Sequence, residues 1–351
     1  MNSQLFRMLI ASPLEAEHVE RIRANAPDGV EIIYEPDLLP PTRYVGDHGG
    51  VPGHSLTVEQ QERWNDLLAS ADALFDFPWN ERGRHPKEYA PNLQWVQTTS
   101  AGVGRAAQAM GVQPGELTIT TASGVHARPL AEFVMMVLLM GAKEYCRLVR
   151  DQEAHRWERF CSDELTGKTL AIVGAGRVGR EIAKLSRAFD MRPVGLTREY
   201  RADRASELGL DRLYARHELH EMLAGADAIV VAAPHTPDTE NIIGAAEFDV
   251  MKRGVTFVNI GRGQLVDEAA LIEKIRDGTI GFAGLDVFQT EPLPPESALW
   301  DFPNVLINPH SASTSHHENG RITDILLHNL HAFIEGRHSD LRNVLDIERM
   351  Y

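Results

Sequence analysis

The feature that most constrains this chain is a trio of closely spaced glycines near its middle, in the pattern G-x-G-x-x-G. Apolar residues, several of them β-branched, lead into the glycines, and a segment with helical apolar periodicity follows them. This order predicts a strand, a tight turn and a helix whose N-terminal amides point at a bound phosphate. We therefore predict a dinucleotide-binding βαβ unit, in preference to a plain glycine-rich turn, with these residues beside the cofactor: Gly174, Gly176, Arg177, Val178 and Gly179.

Length and composition set the class of protein. The chain has 351 residues, more than a single hydrophobic core commonly holds, so two domains are expected. Its 43% hydrophobic and 24% charged residues are typical of a soluble globular protein. The formal net charge of −15 argues against nucleic acid or an anionic membrane as a partner, although an arginine inside a pocket can still bind a small anion.

The first residues and the cysteines bear on the location of the protein. The opening residues lack the basic segment and long apolar core of a secretory signal. The longest apolar run, at residues 133–140, is far too short to cross a bilayer. Only two cysteines occur, Cys146 and Cys161, so no disulfide framework is indicated. The sequence predicts a cytoplasmic protein with no membrane partner.

Strand-like and helix-like segments alternate along most of the chain, which predicts parallel α/β architecture. The first helix is expected from Pro13 to about Ala26, and residues 36–53, rich in proline and glycine, read as a loop. That loop is either an active-site flap or a plain surface insertion. From Lys168 onward we predict six strands, the count of a doubly wound sheet: 170–173, 193–196, 228–232, 256–260, 282–286 and 305–308.

Two segments ahead of the glycine turn stand out. Residues from Pro129 to Tyr145 are apolar nearly all round, which predicts a helix buried on every side. The next stretch, to Phe160, mixes charged residues with large apolar ones. It fits a solvated helix or, by preference, an arm that packs on a second subunit.

Three charged residues follow successive late strands of the chain: Arg262, Glu291 and His310. In an open parallel sheet all three lie at the carboxyl edge, where ligands bind. A guanidinium there grips a carboxylate and polarises a neighbouring carbonyl, while an imidazolium donates a proton to that carbonyl oxygen. A glutamate hydrogen-bonded to the other ring nitrogen fixes the orientation of the imidazole. The set predicts the catalytic residues of a dehydrogenase.

From about residue 100 onward the chain resembles the D-isomer-specific 2-hydroxyacid dehydrogenase family. The first 99 residues match only in their alternation of strands and helices. Within the family, residues 292–300 look most like the glyoxylate/hydroxypyruvate reductase branch. The stretches that carry the resemblance are Ser100–Gly104, Gly174–Gly179, Pro234–Thr239, Val258–Gly263, Gly284–Pro292 and Asn308–Ser311.

The resemblance implies an arrangement of domains. Residues 126–314 would form a Rossmann cofactor domain inserted into a smaller, flavodoxin-like substrate domain made of residues 1–125 and 315–351. Both would be doubly wound parallel-sheet domains, so the fold class is α/β. The helix from Pro129 would lie between the domains, and the arm after it would serve a homodimer.

The resemblance also implies residue roles. Arg262 would bind and polarise a small 2-oxo acid such as glyoxylate or hydroxypyruvate, His310 would be the acid/base, and Glu291 would orient it. The backbone of Ala101 and Gly102 would receive the substrate carboxylate. The further cofactor residues would be Pro234 and Thr239 in the groove and Asp286 near the nicotinamide.

The end of the second strand of the βαβ unit bears on the choice of cofactor. A unit that prefers NAD(H) usually places Asp or Glu there, but this chain has Thr197 and Arg198. A hydroxyl beside a guanidinium suits a 2′-phosphate, so the sequence favours NADP(H) over NAD(H). In the alternative, Arg198 points to solvent and Glu199 takes the acidic role.

Two other interpretations are weighed against this one. The histidines at 316, 317, 328 and 331 have no cysteine or carboxylate cluster to complete a tetrahedral set, so we predict no metal site. The main functional alternative is a nucleotide-sensing binding protein, as some corepressors of the family are, because such proteins can retain the Arg–Glu–His set. Turnover of a simple 2-oxo acid separates these functions.

Overall fold

The computed structural model describes residues 5–198, 200–201 and 203–349. The chain forms two compact units, one made of residues 1–125 and 314–351 and the other of residues 126–313. No helix of the described residues is long and apolar enough to cross a membrane.

The first unit contains a five-stranded, fully parallel sheet with strand order β2-β1-β3-β4-β5. This order is that of a flavodoxin-like doubly wound sheet. Thr57 caps α2 through the Gln60 amide, and Gln60 returns the bond in a capping box. The elements before the second unit are β1 (Phe6–Ile10), α1 (Ala16–Asn25), β2 (Val30–Ile33), α2 (Val58–Ser70), β3 (Ala73–Phe75), α3 (Pro86–Tyr89), β4 (Trp95–Gln97), α4 (Gly104–Ala109) and β5 (Thr118–Thr120).

The second unit contains a seven-stranded parallel sheet with strand order β12-β11-β10-β9-β6-β7-β8. The order reverses between β6 and β9, as it does in a Rossmann sheet. Its elements are α5 (Ala127–Ala142), α6 (Tyr145–Glu153), β6 (Thr169–Val173), α7 (Arg177–Arg187), β7 (Arg192–Leu196), α8 (Arg204–Glu207), β8 (Arg212–Tyr214), α9 (Leu219–Gly225), β9 (Ala228–Val231), α10 (Ala245–Asp249), β10 (Val255–Asn259), α11 (Glu268–Arg276), β11 (Ile280–Leu285) and β12 (Val305–Ile307).

The chain then returns to the first unit as the long helix α12 (Glu318–Ile334). Its apolar face packs on β1, β3 and β4, where Ile322, Leu326 and Leu330 are fully buried. Phe333 stacks on Trp95 with ring centroids 5.4 Å apart. The last helix therefore completes the core of the unit that the first residues of the chain begin.

The α/β class with two doubly wound sheets is confirmed, but three local predictions are wrong. The second sheet has seven strands, because β8 is a three-residue edge strand in which only Leu213 is buried, too short to show a pattern. The first helix begins at Ala16, since the Leu14 backbone hydrogen-bonds the Tyr34 hydroxyl. Helix α5 is not buried on every side, because Met136 is 43% exposed.

Candidate active site

The glycine turn joins β6 to α7. Gly174 has φ of +100°, and a Cβ there would lie 2.5 Å from the backbone of Ala233, so only glycine fits. At Gly179 a Cβ would lie 2.9 Å from the Gly174 carbonyl, which shows how closely the helix packs on the turn. A Cβ added at Gly176 would have no atom of the described residues within 4 Å, apart from atoms of the residues adjacent to it in the chain. The turn thus leaves open space where a pyrophosphate would approach, and α7 begins at Arg177.

Two neighbouring strand ends meet at this turn. The amides of Gly174 and Ala175 donate to the Leu196 carbonyl at 3.0 and 2.9 Å, so the end of β7 lies against the turn. Thr197 and Arg198 follow directly, and Arg198 is exposed. These residues stand where a ribose 2′ group is expected next to such a turn. Glu199, which carries the alternative interpretation, lies outside the described residues.

The segment after β9 lies on the other side of the turn. The Thr239 hydroxyl donates to the Pro234 carbonyl at 2.8 Å and accepts from the Thr236 amide at 2.8 Å. These bonds close a compact loop that begins next to Ala233, the residue against which Gly174 packs. Pro234 and Thr239 therefore lie on the same edge of the sheet as the glycine turn, at the point where the strand order reverses.

His310 and Glu291 form the central pair of the second unit. The Glu291 carboxylate lies 2.8 Å from His310 Nδ1, and its other oxygen accepts from the Phe288 amide at 3.0 Å. His310 has φ of +51°, in the left-handed region that residues other than glycine seldom adopt. Both side chains are partly exposed, at 43% for His310 and 37% for Glu291. The carboxylate thus holds the ring through Nδ1.

The loop that holds His310 is fixed by a buried carboxylate. One oxygen of Asp286 accepts from Asn308 Nδ2 at 2.5 Å and from the Ser311 and Ala312 amides at 2.9 and 3.0 Å. The His310 amide donates to the Asp286 backbone carbonyl at 3.0 Å. These contacts show that Asp286 supports the His310 loop, a structural role that the sequence did not suggest. The position of Asp286 near the nicotinamide stays a prediction.

Arg262 follows β10, the neighbour of β11 in the sheet. Its backbone is held by Asn259, whose amide group donates to the Arg262 carbonyl and accepts from the Gly261 amide, both at 3.1 Å. A Cβ on Gly263 would lie 1.9 Å from the Phe288 backbone, so the Arg262 loop is pressed against the loop that carries Glu291. The sequence motifs did not single out Asn259, although a polar residue at the end of an apolar strand is a signal that could have identified it.

The remaining predicted residues, Ala101 and Gly102, lie in the first unit, in the turn after β4. The Thr98 hydroxyl donates to the Ser100 carbonyl at 2.8 Å, and the Gly102 amide lies 3.4 Å from the Ser100 hydroxyl. The Thr99 hydroxyl donates to the Asp76 carboxylate, which follows β3. The turn is therefore shaped by side-chain bonds at the carboxyl edge of the sheet.

No group of three or more His, Cys, Asp or Glu side chains within the described ranges could hold a metal ion. Two of the histidines considered above have backbone partners: His328 Nε2 lies 2.9 Å from the Asp340 carbonyl, and His331 Nε2 lies 3.0 Å from the Asn25 carbonyl.

The fold and this set of side chains define a nicotinamide-dependent dehydrogenase. Residues 135–312 match the family model described as D-isomer specific 2-hydroxyacid dehydrogenase, NAD binding domain. Glyoxylate reductase from Aeropyrum pernix is 32% identical over 279 residues, which cover 76% of this chain and 81% of that protein. Glyoxylate/hydroxypyruvate reductase B from Yersinia pestis is 33% identical over 270 residues, covering 74% and 80%.

Two solved structures have a fold that matches nearly the whole of this chain. A D-isomer specific 2-hydroxyacid dehydrogenase family protein from Aeromonas salmonicida has a TM-score of 0.78 at 28% identity and covers 98% of this chain and 100% of its own. An NADPH-dependent glyoxylate/hydroxypyruvate reductase from Sinorhizobium meliloti, in complex with NADP and sulfate, has a TM-score of 0.77 at 26% identity, covering 99% and 100%.

The chain therefore belongs to the D-isomer-specific 2-hydroxyacid dehydrogenase family. It is an NAD(P)-dependent oxidoreductase that transfers a hydride between a nicotinamide cofactor and C2 of a 2-oxo acid. The expected resemblance, including the glyoxylate/hydroxypyruvate reductase branch, is confirmed, and nothing in these comparisons favours the nucleotide-sensing alternative.

Proposed function

We propose that the protein reduces a small 2-oxo acid, glyoxylate or hydroxypyruvate, to the D-2-hydroxy acid with NADPH. The observation that carries the proposal is the pair of His310 and Glu291, 2.8 Å apart, at the same sheet edge as Arg262. The names of the relatives from Aeropyrum pernix and Yersinia pestis support the choice of substrate.

His310 carries the proton in this proposal. Nδ1 faces the Glu291 carboxylate, so the orientation of the ring is held and the proton on Nε2 is available to the substrate C2 oxygen. When bound, the nicotinamide supplies the hydride that arrives at C2. On the reverse path Nε2 accepts the hydroxyl proton.

Arg262 and the turn at Ala101 and Gly102 bind the acid. A guanidinium forms charge-assisted hydrogen bonds to a carboxylate and draws electron density from a neighbouring carbonyl oxygen. Arg262 Nη1 donates to the Gly261 carbonyl at 2.6 Å, which directs the side chain along its own loop. Backbone amides at Ala101 and Gly102 would receive the substrate carboxylate.

The cofactor residues are proposed from the strand ends described above. Gly174, Gly176 and Gly179 would admit the pyrophosphate, with Arg177 and Val178 at the start of α7. Thr197 and Arg198 support NADP(H) over NAD(H), because a hydroxyl and a guanidinium suit a 2′-phosphate. We also propose that Pro234 and Thr239 line the groove and that Asp286 lies near the nicotinamide.

The first experiment follows the oxidation of NADPH and NADH by absorbance with glyoxylate, hydroxypyruvate, pyruvate and phenylpyruvate. We expect turnover with the small acids, faster with NADPH.

The variant Arg198→Ala should lower kcat/KM for NADPH by about tenfold and leave kcat/KM for NADH nearly unchanged. A tenfold loss corresponds to one charge-assisted hydrogen bond. Arg180→Ala, an exposed arginine of the same unit, is the matched control.

The outcomes separate the parts of the proposal. Turnover that is faster with NADH would retain the reductase and contradict the 2′-phosphate argument. Absence of turnover with all four acids, together with tight binding of a nicotinamide cofactor, would contradict the reductase and support a sensor.

We also propose a cytoplasmic homodimer. Both cysteines are free, which suits a reducing compartment. Helix α6 and the segment after it expose large apolar side chains: Trp157 at 97%, Tyr145 at 46% and Leu148 at 46%. Such groups clustered on one segment are typical of a subunit contact.

A further inference from the structure

Two loops of the second unit, which carry Arg262 and Glu291, are in direct contact at Gly263. A Cβ on Gly263 would lie 1.9 Å from the Phe288 carbonyl and 2.4 Å from the Gln289 nitrogen, so the two backbones touch. Glycine permits this close approach because it has no side chain, and for the same reason it cannot hold a partner by a side-chain bond. Other residues must therefore fix one loop against the other.

Gln289 makes three hydrogen bonds across this contact. Its side-chain amide donates to the Val266 carbonyl at 2.9 Å. Its backbone carbonyl accepts from Gln264 Nε2 at 3.2 Å, and its backbone amide donates to the Glu268 carboxylate at 3.2 Å. All three partners come shortly after Arg262 in the chain. Gln289 therefore ties its own loop to the segment that follows the other loop.

The segment that bonds to Gln289 is itself held in place. The Ile243 amide donates to the Leu265 carbonyl at 3.1 Å, and the Ile243 carbonyl accepts from the Asp267 amide at 2.9 Å. Leu265 is fully buried, and the Asp267 side chain caps the start of α11. Because this segment is fixed by its own contacts, the loop of Glu291 takes its position from it through Gln289.

The position of Gln289 is passed on to the imidazole through its neighbour. The Phe288 amide donates to the Glu291 carboxylate at 3.0 Å, and the other oxygen of Glu291 lies 2.8 Å from His310 Nδ1. A shift of the backbone at Gln289 would therefore displace the carboxylate and the ring that it orients. The contacts thus connect the loop of Arg262 to the ring of His310.

We propose that Gln289 is a positioning residue that sets the spacing between the Arg262 guanidinium and the His310 imidazole. The inference rests on the proposed function, in which Arg262 holds the substrate carboxylate and His310 protonates the C2 oxygen. Both groups act on neighbouring carbons of one small acid. An error in their spacing leaves the acid bound but misaligns its carbonyl with Nε2, and a displacement of about 1 Å can lower a rate on the order of 100-fold.

The variant Gln289→Met tests this role, because methionine keeps the length of the side chain and removes the donor to the Val266 carbonyl. We expect kcat for glyoxylate and hydroxypyruvate to fall about tenfold, since the carbonyl is less well aligned with the proton donor. KM for both acids and Kd for NADPH should stay within about twofold of the wild type, because Arg262 and the cofactor residues are intact.

The matched control is Thr290→Val, which removes a hydroxyl from the next residue of the same loop at nearly constant size. Thr290 is exposed, so kcat should stay within about twofold of the wild type. Gln264→Met removes the second side-chain donor of the contact and should repeat the fall in kcat with KM unchanged. It provides a second test if urea unfolding shows that Gln289→Met is poorly folded.

A double-mutant cycle distinguishes positioning from a contribution to stability. Lysine is a flexible point charge without the fixed fork of arginine, so in Arg262→Lys the exact spacing matters less. Gln289→Met should therefore lower kcat by no more than about twofold in the Arg262→Lys background. An equal, tenfold fall in both backgrounds would mean that Gln289 acts independently of Arg262, and this result would overturn the proposal.

The wild type separates this inference from the function on which it rests. Failure of the wild type to reduce glyoxylate or hydroxypyruvate would overturn the proposed function, and this inference with it. Turnover by the wild type together with an unchanged kcat in both Gln289→Met and Gln264→Met would retain the reductase and overturn the role of Gln289.

Discussion

At the scale of single residues, Glu291 shows why a conservative substitution is informative. Its two oxygens have separate donors, the Phe288 amide at 3.0 Å and His310 Nδ1 at 2.8 Å. Glutamine has only one side-chain oxygen. If this oxygen accepts from the Phe288 amide, the NH₂ group faces His310 Nδ1 and favours the wrong tautomer of the imidazole. Glu291→Gln should therefore lower kcat on the order of 100-fold in steady-state assays, while the dissociation constant for NADPH, measured by fluorescence, stays unchanged.

The control for this prediction is Glu296→Gln, an exposed carboxylate on the same loop. It removes an equal charge without touching His310, so kcat should stay within about twofold of the wild type. Equal losses in the two variants would mean that the charge of the loop, and not the orientation of the imidazole, controls the rate.

Asp47 yields a prediction about pH. The Arg43 guanidinium and the surrounding amides hold the pKa of this buried carboxyl well below its usual range. A carboxyl with a lowered folded-state pKa stabilises the protein fully above its unfolded pKa of about 3.9 and loses that contribution as pH falls further. Urea unfolding should therefore show wild type more stable than Asp47→Asn by a constant amount from pH 7 to 5, and by less below about pH 4. A difference that fades between pH 7 and 5 would contradict this.

At the scale of elements, helix α12 is tied to the first sheet by a buried polar network. Asn329 donates to the Gln97 side chain at 3.0 Å and to the Arg342 carbonyl at 3.1 Å, and accepts the Arg342 amide at 2.8 Å. Gln97 accepts in turn from the Thr120 hydroxyl at 2.8 Å. The side chains of Asn329, Gln97 and Thr120 are fully buried, so these bonds fix the position of the helix on the sheet.

Asn329→Leu should lower the free energy of unfolding of the first unit by about 2–3 kcal/mol, because it leaves several buried polar groups without partners. Thr323→Val on the same helix is the matched control. The Thr323 hydroxyl is buried and lacks a partner among the described residues, so its removal should be neutral or stabilising. Urea unfolding followed by tryptophan fluorescence measures both, since Trp64 and Trp95 are buried in this unit. Equal losses would contradict the network argument.

The elements also show what a pattern can and cannot predict. The capped helix α2 and the glycine turn at β6 were predictable, because caps and turns depend on residues close in sequence. The start of α1 was not, because the Leu14 carbonyl accepts from the hydroxyl of Tyr34, which follows β2 and is 20 residues away in the sequence. The short strand β8 exists only because β7 offers it a partner.

At the scale of the whole molecule, the exposed apolar groups on the α6 segment predict a homodimer. Trp157, 97% exposed, should lie in the subunit contact. Sedimentation should therefore find a dimer for the wild type and weaker association for Trp157→Ser. Val58→Ser, which alters a 72% exposed apolar residue on α2, should remain dimeric. A monomeric wild type would contradict the proposal.

The sequence by itself was enough to predict the α/β class and the family, because both depend on local order along the chain: residue types, glycine spacing and positions after strands. The same local order places Arg262, Glu291 and His310 after successive strands, and their catalytic roles stay a prediction. The 2.8 Å bond between His310 and Glu291 depends on two loops meeting, and so does the support from Asp286 and Asn259. The conformation of the loop at residues 36–53 likewise depends on the buried Asp47 carboxylate, which accepts from the Arg43 guanidinium and from the Gly49 and Gly50 amides. Tertiary structure decided these features because each needs partners that are distant in sequence, and only packing brings such partners together.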